Sequence, residues 1–588
     1  MRRIIAVVMT MVILSISVCA YSDDEIERRI DEVGNEYIEF YRQGNRDAWS
    51  GESCAVCEVA DEEMAYYDAS ANEAAAFPGS TPQYTPAPAA RKASEEEIFY
   101  EDPFNTEAYA PVEESGFHSV KTQQFSTFGA DVDTASYSSL RRKLLEPYAY
   151  KNPYFRGIDD SAIRIEEMIN YFTYHYNEPE EGEKFGVTTT LCECPWNDEN
   201  LLLKVGIRAE EQPDLSKGSN IVFLVDTSGS MFEFDKLSLV KTALGILTEQ
   251  LTENDIVSVV TYAGDESVAL EGAPGNEKDW IMDAVNSLIA WGSTWGEGGI
   301  NKAYEIAEKY YIEGGNNRVI LCTDGDFNVG VSSEAGLKKL ISEKRESGVY
   351  FSCLGFGGGN YDDTTMETLA DNGNGNYFYI DCEREARRAL SEEFFSTIFT
   401  VAEDTKFQIE FNPRNVKAWR QIGYENRAMA AEDFADDKKD GGEVGAGQTV
   451  TVLYEIVPST SGSDLPEVTS RYTDSSADSS AEAPESDELL AVNIRWKEPG
   501  EKESVLRTWP VMADDIVEMD VDTSWAAGVA QAGMLMRNSE YAGTTTPEAV
   551  YDRLKEDPEI MENDYKAEFL FMLRAMKDYM ENRAAENE

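Results

Sequence analysis

Between residues 219 and 398, short apolar runs alternate with longer segments of helical periodicity. Strands that are apolar along their whole length are covered on both faces, and a helix between consecutive strands makes those strands parallel. We therefore expect an α/β domain with a mostly parallel, Rossmann-like sheet and helices on both faces. In such sheets, ligands bind at the carboxyl ends of the strands. The apolar runs are IVFLVD, IVSVVTYA, RVILCTD, VYFSCLGFG and NYFYID.

The first of these strands ends in a polar cluster, DTSGS, in which Asp226, Ser228 and Ser230 are spaced two positions apart. This spacing directs one carboxylate and two hydroxyls toward one point, and such hard oxygen donors suit Mg²⁺. The same predicted edge offers Thr294 in the loop WGSTWGEGG and Asp324 at the end of RVILCTDG. The five side chains form a candidate divalent-cation site with one open coordination position. Mg²⁺ is the expected ion, and Mn²⁺ is the alternative.

This pattern resembles the von Willebrand factor type A (VWA) domain and its metal-ion-dependent adhesion site, DxSxS…T…D, because all five positions match in order. The resemblance implies that an Asp or Glu carboxylate of a protein partner fills the open metal position, and it does not imply an enzyme. Trp295 departs from the family pattern, in which a small or polar residue is usual, and an exposed Trp295 would anchor a partner. For Trp291, in the same loop, we expect packing into the helix layer.

The flanking sequence is similar to a family of bacterial envelope proteins that carry a VWA domain. The segments FNTEAYAPVEESGFHSV and FSTFGADVDTASYSSLRR precede the domain, and FNPRNVKAWRQIGYENRAMAAEDF follows it. This resemblance covers roughly residues 100 to 575 and implies export, often with lipid anchoring. The role of the family's C-terminal module is poorly defined.

Composition and periodicity divide the chain into six parts. The strand-like segments between 186 and 210 have no obvious partners before the central domain, so we expect them to pair with strands between 403 and 510. This pairing would insert the VWA domain into an antiparallel β-sandwich and cover strand edges that would otherwise stay open. The parts are a signal peptide (1–20), an amphipathic helix with a disordered acidic, Pro-, Ala- and Ser-rich tether (21–117), an N-terminal module (118–215), the VWA domain (219–398), a β-rich module (403–515) and C-terminal helices (516–588).

The N-terminus has the pattern of an export signal. Arg2 and Arg3 precede an uncharged run, and the sequence Val18-Cys19-Ala20 suits cleavage after Ala20. Lipidation of Cys19 is the alternative. We therefore expect an exported protein of the periplasm or cell envelope, either soluble or lipid-anchored, that meets the membrane only through such a lipid.

Charge, histidine content and the absence of enzyme motifs weigh against a nucleic-acid-binding protein, a protein that binds an anionic membrane surface and the common classes of hydrolase. With 51 basic and 111 acidic residues, the net charge of −60 opposes binding to nucleic acid or to an anionic membrane surface. The chain contains only two histidines and lacks GxSxG, HExxH and Walker A patterns. Cys54 and Cys57 form a CxxC for which a local disulfide is the preferred interpretation, with a redox pair and half a zinc site as alternatives.

Three classes of function are compatible with these sequence features. The favoured one is an envelope binding protein of the adhesion type. The second is an assembly scaffold whose metal is structural, and the third is a hydrolase or redox protein. By analogy with VWA domains that switch, the helix predicted at 383–397 would move on carboxylate binding and affect the β-rich module.

Overall fold

A computed structural model of the protein describes most of the chain. The predicted signal peptide, residues 51–106 of the predicted tether and the CxxC of Cys54 and Cys57 lie outside the described residues. Residues 107–117 of the tether are described, and Glu107 pairs there with Arg142 at 2.6 Å, so the prediction of disorder does not hold for them. Among the residues that the structure does describe, no helix is long and apolar enough to cross a bilayer. The described ranges are 21–50, 107–150, 158–211, 217–264, 266–292, 296–325, 334–462 and 486–586.

The described residues form strands in three sheets. The strands are β1 (His118–Ser119), β2 (Phe125–Gly129), β3 (Phe185–Glu193), β4 (Leu201–Ala209), β5 (Ser219–Asp226), β6 (Ile256–Tyr262), β7 (Glu266–Pro274), β8 (Asn316–Thr323), β9 (Tyr350–Phe356), β10 (Tyr377–Ile380), β11 (Thr400–Phe411), β12 (Val416–Ile422), β13 (Val444–Gly445), β14 (Thr449–Pro458), β15 (Glu488–Lys497) and β16 (Ser504–Met512).

Some helices cover the two faces of the central sheet. Other helices, which come from the N-terminal and C-terminal parts of the sequence, pack together in a separate layer. The helices are α1 (Asp23–Ser50), α2 (Ala135–Tyr150), α3 (Ile165–Asn170), α4 (Leu239–Gln250), α5 (Lys278–Asn286), α6 (Gly296–Lys309), α7 (Glu334–Lys344), α8 (Asp363–Asn372), α9 (Glu383–Arg387), α10 (Phe394–Ile398), α11 (Val521–Met536), α12 (Pro547–Leu554) and α13 (Asp564–Glu586).

The central sheet has the order β10-β9-β8-β5-β6-β7. All neighbouring strands are parallel except β6 and β7, which pair antiparallel. Every residue of β5 is buried, and successive residues enter different cores: Phe223 joins one cluster and Leu224 the other. Because both faces are covered, the continuous apolar run is explained, and the predicted VWA-type α/β fold is confirmed.

The strands that flank this sheet in sequence form an antiparallel sandwich. One sheet has the order β1-β12-β14-β4-β3, and the other has β13-β11-β15-β16 with β2 paired to β11. The predicted pairing of the early strands with later ones is confirmed, since β4 pairs with β14 in a register that places Val205 opposite Val452. The chain therefore leaves the sandwich after β4, builds the central sheet and returns at β11.

The helix predicted at 383–397 is divided in the structure into α9 and α10. Between them the Glu393 N–H donates to the Arg388 carbonyl at 2.8 Å, which is a wider turn than that of an α-helix. The fully buried Arg388 also bonds to Glu393 at 2.8 Å and to the Thr134 hydroxyl at 2.7 Å. These bonds hold the end of the domain against α2's N-terminal segment.

Candidate metal centre

The end of β5 brings the DTSGS side chains together. The Ser228 N–H donates to Asp226 Oδ1 at 2.8 Å, and the Ser228 and Ser230 hydroxyl oxygens lie 2.9 Å apart. Asp226 and Ser228 are buried, whereas Ser230 is half-buried. The cluster thus has an inner carboxylate and a hydroxyl that reaches toward the surface.

The neighbouring strand β8 adds two residues to this cluster. The Thr323 hydroxyl donates to Asp226 Oδ2 at 2.8 Å, and the next residue, Asp324, is fully buried. Burial, followed by the negative charge of Asp324, raises the pKa of Asp226 to about 7, although hydrogen bonds from Ser228 and Thr323 oppose this shift. A buried carboxylate whose negative charge is disfavoured in this way provides a good environment for a cation.

Lys236 and Asn360 surround the carboxylate of Asp324. The ammonium of Lys236 lies 3.1 Å from Asp324 Oδ2 and donates to Asn360 Oδ1 at 2.9 Å. The amide of Asn360 in turn donates to Asp324 Oδ2 at 3.2 Å. Sequence reasoning did not identify these two residues or Thr323. Only Thr323 had a usable signal, because it directly precedes Asp324 at the strand end.

The loop after α5 lies directly against the DTSGS turn. The Trp291 N–H donates to the Thr227 carbonyl at 2.6 Å, and the Gly229 N–H donates to the Gly292 carbonyl at 3.0 Å. The Trp291 side chain is 74% exposed, so the expectation that it packs into the helix layer is wrong. Thr294 and Trp295 lie outside the described residues.

The donor set is consistent with a hard divalent cation. Asp226, Ser228, Ser230 and Asp324 meet at the carboxyl edge of the sheet, and they supply carboxylate and hydroxyl oxygens only. A cluster of three or more His, Cys, Asp or Glu side chains that could hold a metal does not occur in the described part of the chain. A metal at this site would depend on hydroxyl donors as much as on carboxylates.

The cysteines that the structure describes are all buried free thiols. Burial raises the pKa of the Cys322 and Cys353 thiols, so these side chains are poor nucleophiles. Cys192 has a pKa raised to about 11, also by burial. Reactive thiol chemistry therefore finds no support within the described ranges.

Comparison with known proteins matches three family models along the chain. "von Willebrand factor" matches residues 103–204, "von Willebrand factor type A domain" matches 220–393, and "Uncharacterized protein YfbK, C-terminal" matches 396–579. The sequence is 37% identical over 484 residues to the protein YfbK of Escherichia coli (strain K12), which covers 80% of each chain. This chain belongs to the YfbK family of VWA-domain proteins.

Two further proteins are similar to this YfbK-family protein at lower sequence identity and over part of its chain. Inter-alpha-trypsin inhibitor heavy chain H3 of Homo sapiens is 28% identical over 196 residues, 31% of this chain and 22% of that protein. The solved structure of von Willebrand factor type A from Catenulispora acidiphila is 15% identical, with coverage of 65% and 87% and a TM-score of 0.36. VWA domains commonly act in protein interaction or adhesion, often bind a divalent metal and are usually not enzymes.

Proposed function

We propose that this protein binds a protein partner in the cell envelope through a divalent cation, Mg²⁺ or alternatively Mn²⁺. Asp226, Ser228, Ser230 and Asp324 would hold the ion, and Thr294 would complete the set. The ion would supply an electrophilic position that accepts an Asp or Glu carboxylate of the partner. The observation that carries the proposal is that two buried carboxylates and two hydroxyl groups meet at one edge of the sheet. The two hydroxyl oxygens, those of Ser228 and Ser230, lie 2.9 Å apart.

Exposed aromatic side chains beside the cluster support a protein partner. Phe232, two residues after Ser230, is 68% exposed, and Trp291, in the adjoining loop, is 74% exposed. Large aromatic residues of this kind commonly anchor protein interfaces. We call Phe232 and Trp291 the aromatic rim. The rim would bury apolar surface of the partner around the carboxylate that reaches the ion.

The export pattern at the N-terminus supports a location in the periplasm or cell envelope. The protein would be either secreted in soluble form or anchored by a lipid on Cys19. Fractionation of cells that produce wild-type protein and Cys19→Ala distinguishes these forms. Release of the variant from the membrane fraction would favour the lipid anchor.

The test of function compares wild-type protein, Asp226→Ala and the control Asp279→Ala, an exposed residue of the same domain. Calorimetric titration with Mg²⁺ and Mn²⁺ would be combined with metal-dependent capture of partners from envelope extract. We expect Asp226→Ala to lose metal binding and capture while its circular dichroism spectrum stays unchanged. Metal binding that survives in Asp226→Ala would overturn the proposed site. Unfolding of wild-type protein by chelator would instead favour the scaffold with a structural metal.

A further inference from the structure

Lys236 is a buried cation at the edge of the candidate metal centre. Its side chain is only 4% exposed, yet its ammonium contacts Asp324 at 3.1 Å and Asn360 at 2.9 Å. A buried ammonium is costly unless it is paired and hydrogen-bonded, and these two contacts meet that need. The more distant Glu233, 3.9 Å away, has a largely exposed side chain and contributes a weaker, solvent-screened attraction.

The aliphatic stem of Lys236 passes over a glycine on its way to Asp324. Gly357, which follows β9, has φ +72° and lies directly under the lysine stem. A Cβ atom added there would be 2.5 Å from both Cγ and Cε of Lys236, so any larger residue would displace the stem. The glycine at this position therefore leaves room for the lysine stem along its path to Asp324.

This arrangement changes the charge that a metal ion would meet. Asp226 and Asp324 together carry two negative charges when ionised, and Lys236 leaves the site with a single one. A divalent cation would then convert the site to a single positive charge, which still attracts an external carboxylate. Without Lys236, the same ion would be fully neutralised by the protein's own carboxylates.

We propose that Lys236 is a resident counter-cation that makes the metal centre exchangeable. When no metal is bound, Lys236 balances Asp324, so the domain stays folded. When a metal is bound, Lys236 weakens the hold on the ion and preserves its attraction for the partner's carboxylate. This inference rests on the proposed metal site. It adds that Lys236 determines how tightly the site holds the ion and how strongly the bound ion attracts a carboxylate.

The test uses Lys236→Met, which keeps the stem and removes the charge, in the full chain. Thermal unfolding would be followed in chelator and in Mg²⁺, and Mn²⁺ affinity would be measured by calorimetry. We expect the wild-type melting temperature to change little with chelator. In Lys236→Met, it should fall by several degrees in chelator and recover in Mg²⁺, while Mn²⁺ affinity rises about tenfold or more. The control Lys339→Met, at a side chain that is 77% exposed, should behave as wild type.

A charge-rescue variant separates electrostatics from packing. Lys236→Met combined with Asp324→Asn removes both members of the pair, so its melting temperature in chelator should return toward that of wild type. If Lys236→Met alone does not fold, folding of the double variant still supports the counter-cation role. A double variant that is no more stable in chelator than Lys236→Met would overturn it.

The outcomes also separate this inference from the proposed function. If wild-type protein binds Mn²⁺ and Asp226→Ala does not, but Lys236→Met leaves affinity and chelator response unchanged, the counter-cation role is wrong and the metal site stands. Unfolding of wild-type protein by chelator alone would also contradict the counter-cation role. Wild-type protein that binds neither ion would overturn both proposals.

Discussion

Arg141 on α2 lies 2.8 Å from the carboxylate of Glu568 on α13, although 427 residues separate them in sequence. The same fully buried guanidinium contacts Glu385 on α9 at 2.9 Å and also pairs with Asp381. One side chain therefore joins the end of the VWA domain to the helical layer built from both ends of the chain. Movement of α9, the change expected by analogy for a switching VWA domain, would have to act through this joint.

Loss of Arg141 should destabilise the protein strongly. Arg141→Met would leave Asp381, Glu385 and Glu568 buried without their shared cation, and breaking a buried pair typically costs about 3–5 kcal/mol. Urea denaturation would measure the change in the free energy of unfolding. Arg387→Ala is the control, because its pair with Glu383 is about half exposed and should contribute less than about 1 kcal/mol. Equal effects of the two variants would contradict this account of the joint.

The N-terminal helix α1 should detach when Gly34 is enlarged. A Cβ atom at Gly34 would be 2.2 Å from the ring of Phe571 on α13, so Gly34→Leu cannot pack there without moving one helix. We expect amide hydrogen exchange in α1 to increase at least tenfold. Asn35→Ala, at an exposed neighbouring position, should leave exchange unchanged. Wild-type protection of α1 in Gly34→Leu would show that the helix does not depend on this contact.

Glu166 should make stability depend on pH. Burial, with a further contribution from Glu425 and an opposing one from Arg537, raises the pKa of Glu166 to about 7, and no hydrogen-bond donor in the described part of the chain meets its Oε2. The folded carboxyl thus keeps its proton at pH values where the unfolded chain has released it. Its contribution to stability is fully present below about pH 4.5 and is lost as the pH rises to about 7.

Glu166→Gln removes this titration and should be more stable than wild type at pH 8, by up to about 3 kcal/mol. The difference should shrink toward zero below pH 4.5. Denaturant titrations at several pH values would measure it, with the exposed Glu178→Gln as the control. A stability difference that stays constant across the pH range would rule out the raised pKa as its cause.

The aromatic rim should contribute to partner binding without contributing to metal binding. Phe232→Ala and Trp291→Ala remove exposed rings, so each should weaken partner capture by about tenfold, equivalent to about 1.4 kcal/mol. Calorimetric Mn²⁺ affinity should stay at the wild-type value in both. Leu506→Ala, at a 45% exposed residue of the sandwich strand β16, is the matched apolar control. Capture reduced equally by the control would remove the rim from the interface.

The sequence predicts the architecture correctly wherever the local pattern of apolar and polar residues determines whether a residue is buried or exposed. The uninterrupted apolar run of β5 indicated a strand covered on both faces, and the polar residues at its end indicated the edge where ligands bind. The unpaired early strands indicated the insertion of the VWA domain, because an open strand edge needs a partner. Asp226, Ser228 and Ser230 lie together for the same reason, since one turn positions all three.

Other features depend on contacts between segments that are distant in sequence, and no local sequence pattern indicates them. The burial of Lys236 depends on its contacts with Asp324 and Asn360 and on the space at Gly357, all of which lie more than eighty positions later in the sequence. The break between α9 and α10 depends on the buried bonds of Arg388. Trp291 is exposed in a loop whose backbone is bonded to Thr227, a contact between segments that local composition does not indicate.

Anomalous diffraction from crystals of the full chain grown with Mn²⁺ tests the central claim most directly. We expect one strong peak bounded by the oxygens of Asp226, Ser228 and Ser230, with one side of the ion open to solvent or occupied by a carboxylate from outside the chain. The absence of a peak at this position, or an ion enclosed on all sides by the protein's own atoms, would contradict it.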